Sequence, residues 1–148
     1  MEGSTRHSAG RIALVGLVAL AIAMGIGRFA FTPILPMMQE DAGLSIAAGA
    51  WLAVANYVGY LIGALSAIGM RVRPPAAIRV GLLLIGVSTV AMGLVDSFAV
   101  WMFLRAVAGV ASAWVLVYLS TWALDQLAAL GRSNLSGAVY AGVGTGIV

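Results

Sequence analysis

Cysteine and lysine are both missing from this chain, and aspartate and glutamate together number only five in 148 residues. Without cysteine there are no disulfides and no thiolate metal sites. The eight basic residues are all arginine and form no dense patch, so a net charge of +3 does not make a nucleic-acid surface. The lack of lysine beside abundant Ala, Gly, Val and Arg points to a GC-rich bacterial genome. Histidine occurs once, at His7 in the polar N-terminal stretch, and every acidic residue sits at the end of an apolar run. An intramembrane protease needs a Ser-His pair or two aspartates at depth, so the chain is not read as an enzyme, and no cofactor or metal is expected. Charged residues make up 9% and hydrophobic ones 62%, with mean hydropathy +1.06, too little polar surface to cover a soluble domain. Lipid must be the solvent for much of the chain.

What is present is a series of long apolar runs. They predict an all-α, polytopic membrane helix bundle with spans at about 12–38, 46–70, 78–95 and 98–124, and a fifth stretch at 137–148. Residues 1–10 read as a cytoplasmic tail and 11–148 as a partial bundle. The first run is far longer than a signal-peptide core, so it is taken as a span despite Ala-x-Ala sites near Ala19 and Ala21. Ser45 is placed to cap the second helix. The third span is apolar nearly all round, with Ser88 and Thr89 its only buried polar groups, and reads as a lipid-facing helix. The 12 residues of the last stretch reach only about 18 Å, short of a roughly 30 Å hydrocarbon core, so the chain is expected to end inside a span. Arg6, Arg11, Arg71, Arg73, Arg79 and Arg132 fall on one side, whereas Glu40, Asp41 and Asp96 fall on the other. This pattern puts the N-terminus in the cytoplasm of a bacterial inner membrane.

The run GIGRFAFTPILP, from Gly25 to Pro36, carries the functional signal. Arg28 is the only charge between Ile12 and Met38, and a cation at that depth costs about 3 to 17 kcal/mol unless it faces a bundle interior or a wet cavity. Counting from the outer end of each span puts Arg28, Asn56 and Arg105 at one level, roughly 14 to 18 Å deep. Two positive charges with no carboxylate at their level favour an anionic or strongly hydrogen-bonding small solute, the other reading being that Arg28 and Arg105 only cap carbonyls of a neighbouring helix or pair with a carboxylate elsewhere. Asn56 suits ligand contact and interhelical hydrogen bonding equally, and Tyr57 and Tyr60 suit a substrate site or packing. Pro33 and Pro36 remove helical donors close to Arg28 and suggest either a hinge for an outer gate or fraying at a helix end. Gly59 and Gly63 form a GxxxG spacing that permits close helix approach.

These residues resemble those of a known family. The run from Gly25 to Pro33, with AGAWLAVANYVGYLIGAL from Ala48 to Leu65, is similar to the YbfB/YjiJ family of major facilitator superfamily transporters. RAVAGVASA, from Arg105 to Ala113, resembles the superfamily's R-x-x-x-G-x-x-x-A signature, which assigns Gly109 and Ala113 to packing and Arg105 to the edge of a transport cavity. The resemblance implies twelve spans in two six-helix halves, with the first and fourth helices lining the cavity and the third outside. The present chain would be the first four spans and the start of a fifth. The loop from Gly69 to Pro75 keeps the family's basic charge but lacks its aspartate, and the glycine-rich stretch from Gly137 lacks the antiporter proline.

The expected function is secondary transport of a small solute by alternating access, with Arg28, Asn56, Arg105, Tyr57 and Tyr60 at the site. The expected partners are the solute, the bilayer and a C-terminal portion of the transporter. A four-span multidrug-resistance-like exporter acting as a homo-oligomer is the rival, and its weak orientation bias and membrane glutamate set it apart. A non-transporting membrane scaffold is the third reading.

Overall fold

The computed structural model describes residues 2–147, with side chains from Ser8 onward. Met1 and Val148, the outermost residues of the expected tail and fifth stretch, lie outside it. Helix α1 spans Glu2–Ala21 and passes through a widened, π-type segment, Ile22–Phe29, into α2, Phe31–Ala42. Helix α3 spans Ile46–Gly69, α4 Pro74–Met92, α5 Phe98–Ala129 and α6 Ser136–Thr145. Four helical units are long and apolar enough to cross a membrane: Ser8–Ala42, α3, α4 and α5. No strand occurs among the described residues, and the molecule is an all-α, multi-pass membrane bundle.

Several boundaries differ from those expected. The polar N-terminal stretch is helical from Glu2 and continuous with α1. Pro74 and Pro75 do not hold the third span off until Ile78, because they occupy its first turn, where a missing N–H leaves no helical acceptor unpaired. That span ends at Met92, before Val95, and the fourth continues past Leu124 and Asp125 to Ala129. Asp125 is exposed and sits on an outward face, so it does not interrupt the helix. A single 3-10 turn, Ser133–Leu135, precedes α6.

The ends of the spans are closed by identifiable groups. Ser45 Oγ accepts from Ala48 N–H at 3.1 Å, and α2 ends on Gly43 in the left-handed region at φ 63°. Trp101 Nε1 donates toward the carbonyls of Val95 (2.8 Å) and Met92 (3.0 Å), covering acceptors that the end of α4 leaves open beside the tight reversal. Tyr118 Oη does the same for α3, lying 3.2 Å from Met70 O and 3.3 Å from Ala67 O. In hydrocarbon such groups must find partners within the protein.

Helix α5 is the central post. Helix α3 packs along one side of it, α4 along another, and α6 packs on α1. The shared core joins Leu20, Ala23 and Met24 to Ile85, Ala111, Val115 and Leu119. Its small residues let backbones meet. A Cβ at Gly59 would run into the Ala106 carbonyl, and one at Gly109 into the carbonyl of Asn56. Gly63 faces Val110 and Ala113 on the same interface, so the four expected packing residues all lie between α3 and α5. Helix α4 fully buries Ala77, Gly81, Ile85 and Ser88, packs Ile78, Leu82 and Leu84 partly against the core, and leaves Val80, Leu83, Val87 and Val90 exposed.

Gly109→Val should therefore force α3 and α5 apart, at a cost of about 3 kcal/mol or more. Fluorescence-detected size exclusion in detergent is expected to show loss of the monodisperse folded peak, whereas Gly86→Val, at a position with open space around its Cα, should leave it intact.

Candidate functional site

Arg28, Asn56 and Arg105 come from the first span, α3 and α5, and the structure brings them together at one level. The local cause lies in the first span. Between Ile22 and Phe29 the helix widens, and Ala30 N–H reaches back five residues to Gly25 O at 2.7 Å. Pro33 has no N–H, so in helical geometry the carbonyl four residues back, and in widened geometry the one five residues back, loses its partner. That second carbonyl belongs to Arg28. The departure from α geometry precedes Pro33, and Pro36 lies inside continuous α2.

Donors from other spans meet the carbonyls of the widened segment. Asn56 Nδ2 donates to Gly27 O at 3.1 Å and to Arg105 O at 3.0 Å, tying three helices together with one side-chain amide. Arg105 Nη2 approaches Arg28 O at 3.4 Å. Ser112 Oγ lies 3.0 Å from Ala23 O and 2.8 Å from Ala108 O in its own helix. Of the two readings open for Asn56, interhelical bonding accounts for both of its N–H groups, which leaves only Oδ1 free for anything else.

The two guanidinium groups are stabilised differently from ordinary buried cations. Arg28 Cζ lies 4.5 Å from the ring centre of Tyr60, 5.3 Å from Tyr57 and 5.7 Å from Phe29. Arg105 Cζ lies 4.5 Å from the ring of Phe31. Ring faces attract a cation electrostatically but accept no strong hydrogen bond, so the charge is offset while N–H groups stay free. Both Nε atoms are buried and, among the described residues, have no hydrogen-bond partner. Arg105 is 5% exposed and Asn56 2%, whereas Tyr57 is open at 56%. A cavity of about 90 Å³ lies among Arg28, Phe31, Thr32, Asn56, Tyr57 and Arg105, with no carboxylate in its lining. Tyr60 is not part of that lining, although its ring is the one nearest Arg28 Cζ.

Phe31, Thr32 and Ser112 were not singled out in the sequence. The signal for Phe31 and Thr32 was their position between Arg28 and Pro33. For Ser112 it was a hydroxyl two turns beyond Arg105 on the same face. Among the described residues no group of three His, Asp or Glu side chains is gathered to hold a metal.

If Asn56 bridges these helices, Asn56→Ala should destabilise the bundle by about 1 to 3 kcal/mol, because the Gly27 and Arg105 carbonyls lose a donor in a dry environment. Chemical denaturation in mixed micelles is the measurement, and Asn134→Ala, on the exposed connection, is expected to have no effect.

Comparison with known proteins gives one family. A family model described as uncharacterised MFS-type transporter YbfB matches residues 20–148, which contain every residue of the cavity. No curated protein and no solved structure matches the chain.

Proposed function

This chain belongs to the YbfB-type family of MFS transporters, and we propose that it serves secondary transport of a small anionic solute by alternating access. Arg28 and Arg105 contact the solute, Asn56 fixes their relative position, and Tyr57 and Tyr60 hold Arg28 in readiness. The observation that carries this reading is that Arg28 and Arg105, each lying over an aromatic ring, line one cavity whose lining holds no carboxylate. Arginines serving only to hold the helices together would be expected to have their donors filled by carbonyls or acids. Here the charge is offset by ring faces, and among the described residues the one side-chain hydrogen bond of either guanidinium is the 3.4 Å approach of Arg105 Nη2 to Arg28 O. A guanidinium N–H in low dielectric binds an anion more strongly than the same pair would bind in water.

The family assignment supports a transporter generally, and the arginine distribution supports a cytoplasmic N-terminus in a bacterial inner membrane. Because no native cysteine is present, single-cysteine labelling tests the orientation cleanly. A cysteine at Ser133 should be protected from a membrane-impermeant maleimide in intact cells, and one at Gly43 should react. The opposite pattern would invert the topology.

Thermal unfolding of the detergent-solubilised protein, titrated with small organic acids and with their neutral amides, tests the site. Acids should raise the unfolding midpoint and amides should not, and Arg28→Ala should weaken the response about tenfold or more, equivalent to about 1.4 kcal/mol. An Arg28→Ala protein that responds like the parent removes that residue from the site.

A further inference from the structure

We infer that the ring of Phe31 is a movable partition between two spaces that both reach Arg105, and that it positions the guanidinium for as long as it stays in place. This inference rests on the reading of Arg105 as part of the solute site, and it adds a route by which that site meets water.

One space is the cavity among Arg28, Thr32, Asn56 and Tyr57 described above. The other is a cleft of about 350 Å³ between α2 and the reversal that joins α4 to α5. Helix α2 contributes Ile34, Met37 and Asp41 to the cleft, and Met92, Asp96 and Trp101 come from the elements across it. Asp41 and Asp96 are exposed, and carboxylates there keep that end of the cleft hydrated. Phe31 and Arg105 line both spaces, and no other residue does. With Arg105 Cζ 4.5 Å from the centre of the Phe31 ring, the stacked pair stands where the two spaces adjoin.

The pair is held lightly enough to part. Phe31 is the one buried residue of α2, set among Leu52 and Trp101, whereas Ile34 and Met37 are exposed. Little besides this ring therefore fastens α2 to its neighbours. A ring face holds a guanidinium less firmly than a carboxylate does, because it accepts no strong hydrogen bond. The side-chain hydrogen bond that Arg105 makes to Arg28 O is long, at 3.4 Å. A means of moving the ring lies next to it in the chain. Ala30, the residue before Phe31, closes the widened turn through its N–H to Gly25 O at 2.7 Å. Tightening that turn by one residue, to α spacing, would rotate Phe31 by about 100° relative to the helix before it, taking the ring off the guanidinium.

Single-cysteine labelling tests the inference, since the chain has no native cysteine. An anionic, membrane-impermeant methanethiosulfonate is applied to membranes on the side from which Gly43→Cys reacts. Ile34→Cys, in the cleft, should label readily and at the same rate whether position 31 is Phe31 or carries Phe31→Ala. Ala53→Cys, in the cavity beyond the ring, should label slowly with Phe31 in place. Phe31→Ala should speed that labelling about tenfold or more, the change expected when a contact of cation–π strength no longer closes the way. Phe31→Tyr, which keeps a ring face, should restore the slow rate. Equal Ala53→Cys rates with Phe31 and with Phe31→Ala would overturn the partition. Slow labelling of Ile34→Cys, or a rate there that changes with Phe31→Ala, would overturn it as well, by showing a dry cleft or a purely structural ring. None of these rates requires an acid to bind, so this inference and the anion-transport reading fail separately.

Discussion

The structure depends on how the carbonyls of one irregular stretch of backbone find donors. Between Ile22 and Phe29 the first span abandons α spacing, and in hydrocarbon every unpaired carbonyl costs several kcal/mol unless the protein itself supplies a donor. Asn56, Arg105 and Ser112 meet Gly27, Arg28 and Ala23 from two neighbouring helices. The irregular stretch and the polar side chains on α3 and α5 therefore stabilise each other. Take away the widened backbone and the amide and guanidinium would be stranded. Remove the side chains and the widening would have no reason to persist.

Electrostatics follow from that arrangement. A guanidinium whose neighbour is a carboxylate is neutralised and its hydrogens are occupied. A guanidinium lying on aromatic rings keeps its hydrogens available, at the cost of a weaker offset of its charge. Arg28 over Tyr60 and Arg105 over Phe31 are of the second kind. The result is a small space lined by two cations and no carboxylate, built by residues whose positions are supported by helix-to-helix contacts at Gly59 and Gly109. Rigid support of this sort keeps two long side chains in a geometry useful for binding, because little ordering remains to be done when a ligand arrives.

Much of the fold was legible in the sequence because the bilayer imposes fixed lengths and a fixed rise per residue. The spans, the closeness of α3 and α5 at GxxxG, and the common depth of Arg28, Asn56 and Arg105 could all be counted from the chain ends. The direction each of these side chains takes could not. A stretch of π geometry rotates every following residue relative to ideal helix counting, and glycines at 25 and 27 mark backbone freedom without saying which way it is used. Helix limits differ from the expected ones where a local signal has two meanings. Pro74-Pro75 marks a break for the preceding helix and an ordinary first turn for the next, and Asp125 ends an apolar run without ending a helix. The side-chain caps from Trp101 and Tyr118 pair residues distant in the chain, and no local pattern announces them.

The most direct test is a distance between nuclei in a lipid bilayer. With a ¹³C label at the Gly27 carbonyl and ¹⁵N in the Asn56 side chain, rotational-echo solid-state NMR reads their separation without altering the protein. A hydrogen bond of the kind described requires a carbon-to-nitrogen distance of about 4 Å, giving strong dephasing. Dephasing that stays at background, as for nuclei more than about 6 Å apart, would mean that Asn56 does not hold the widened segment.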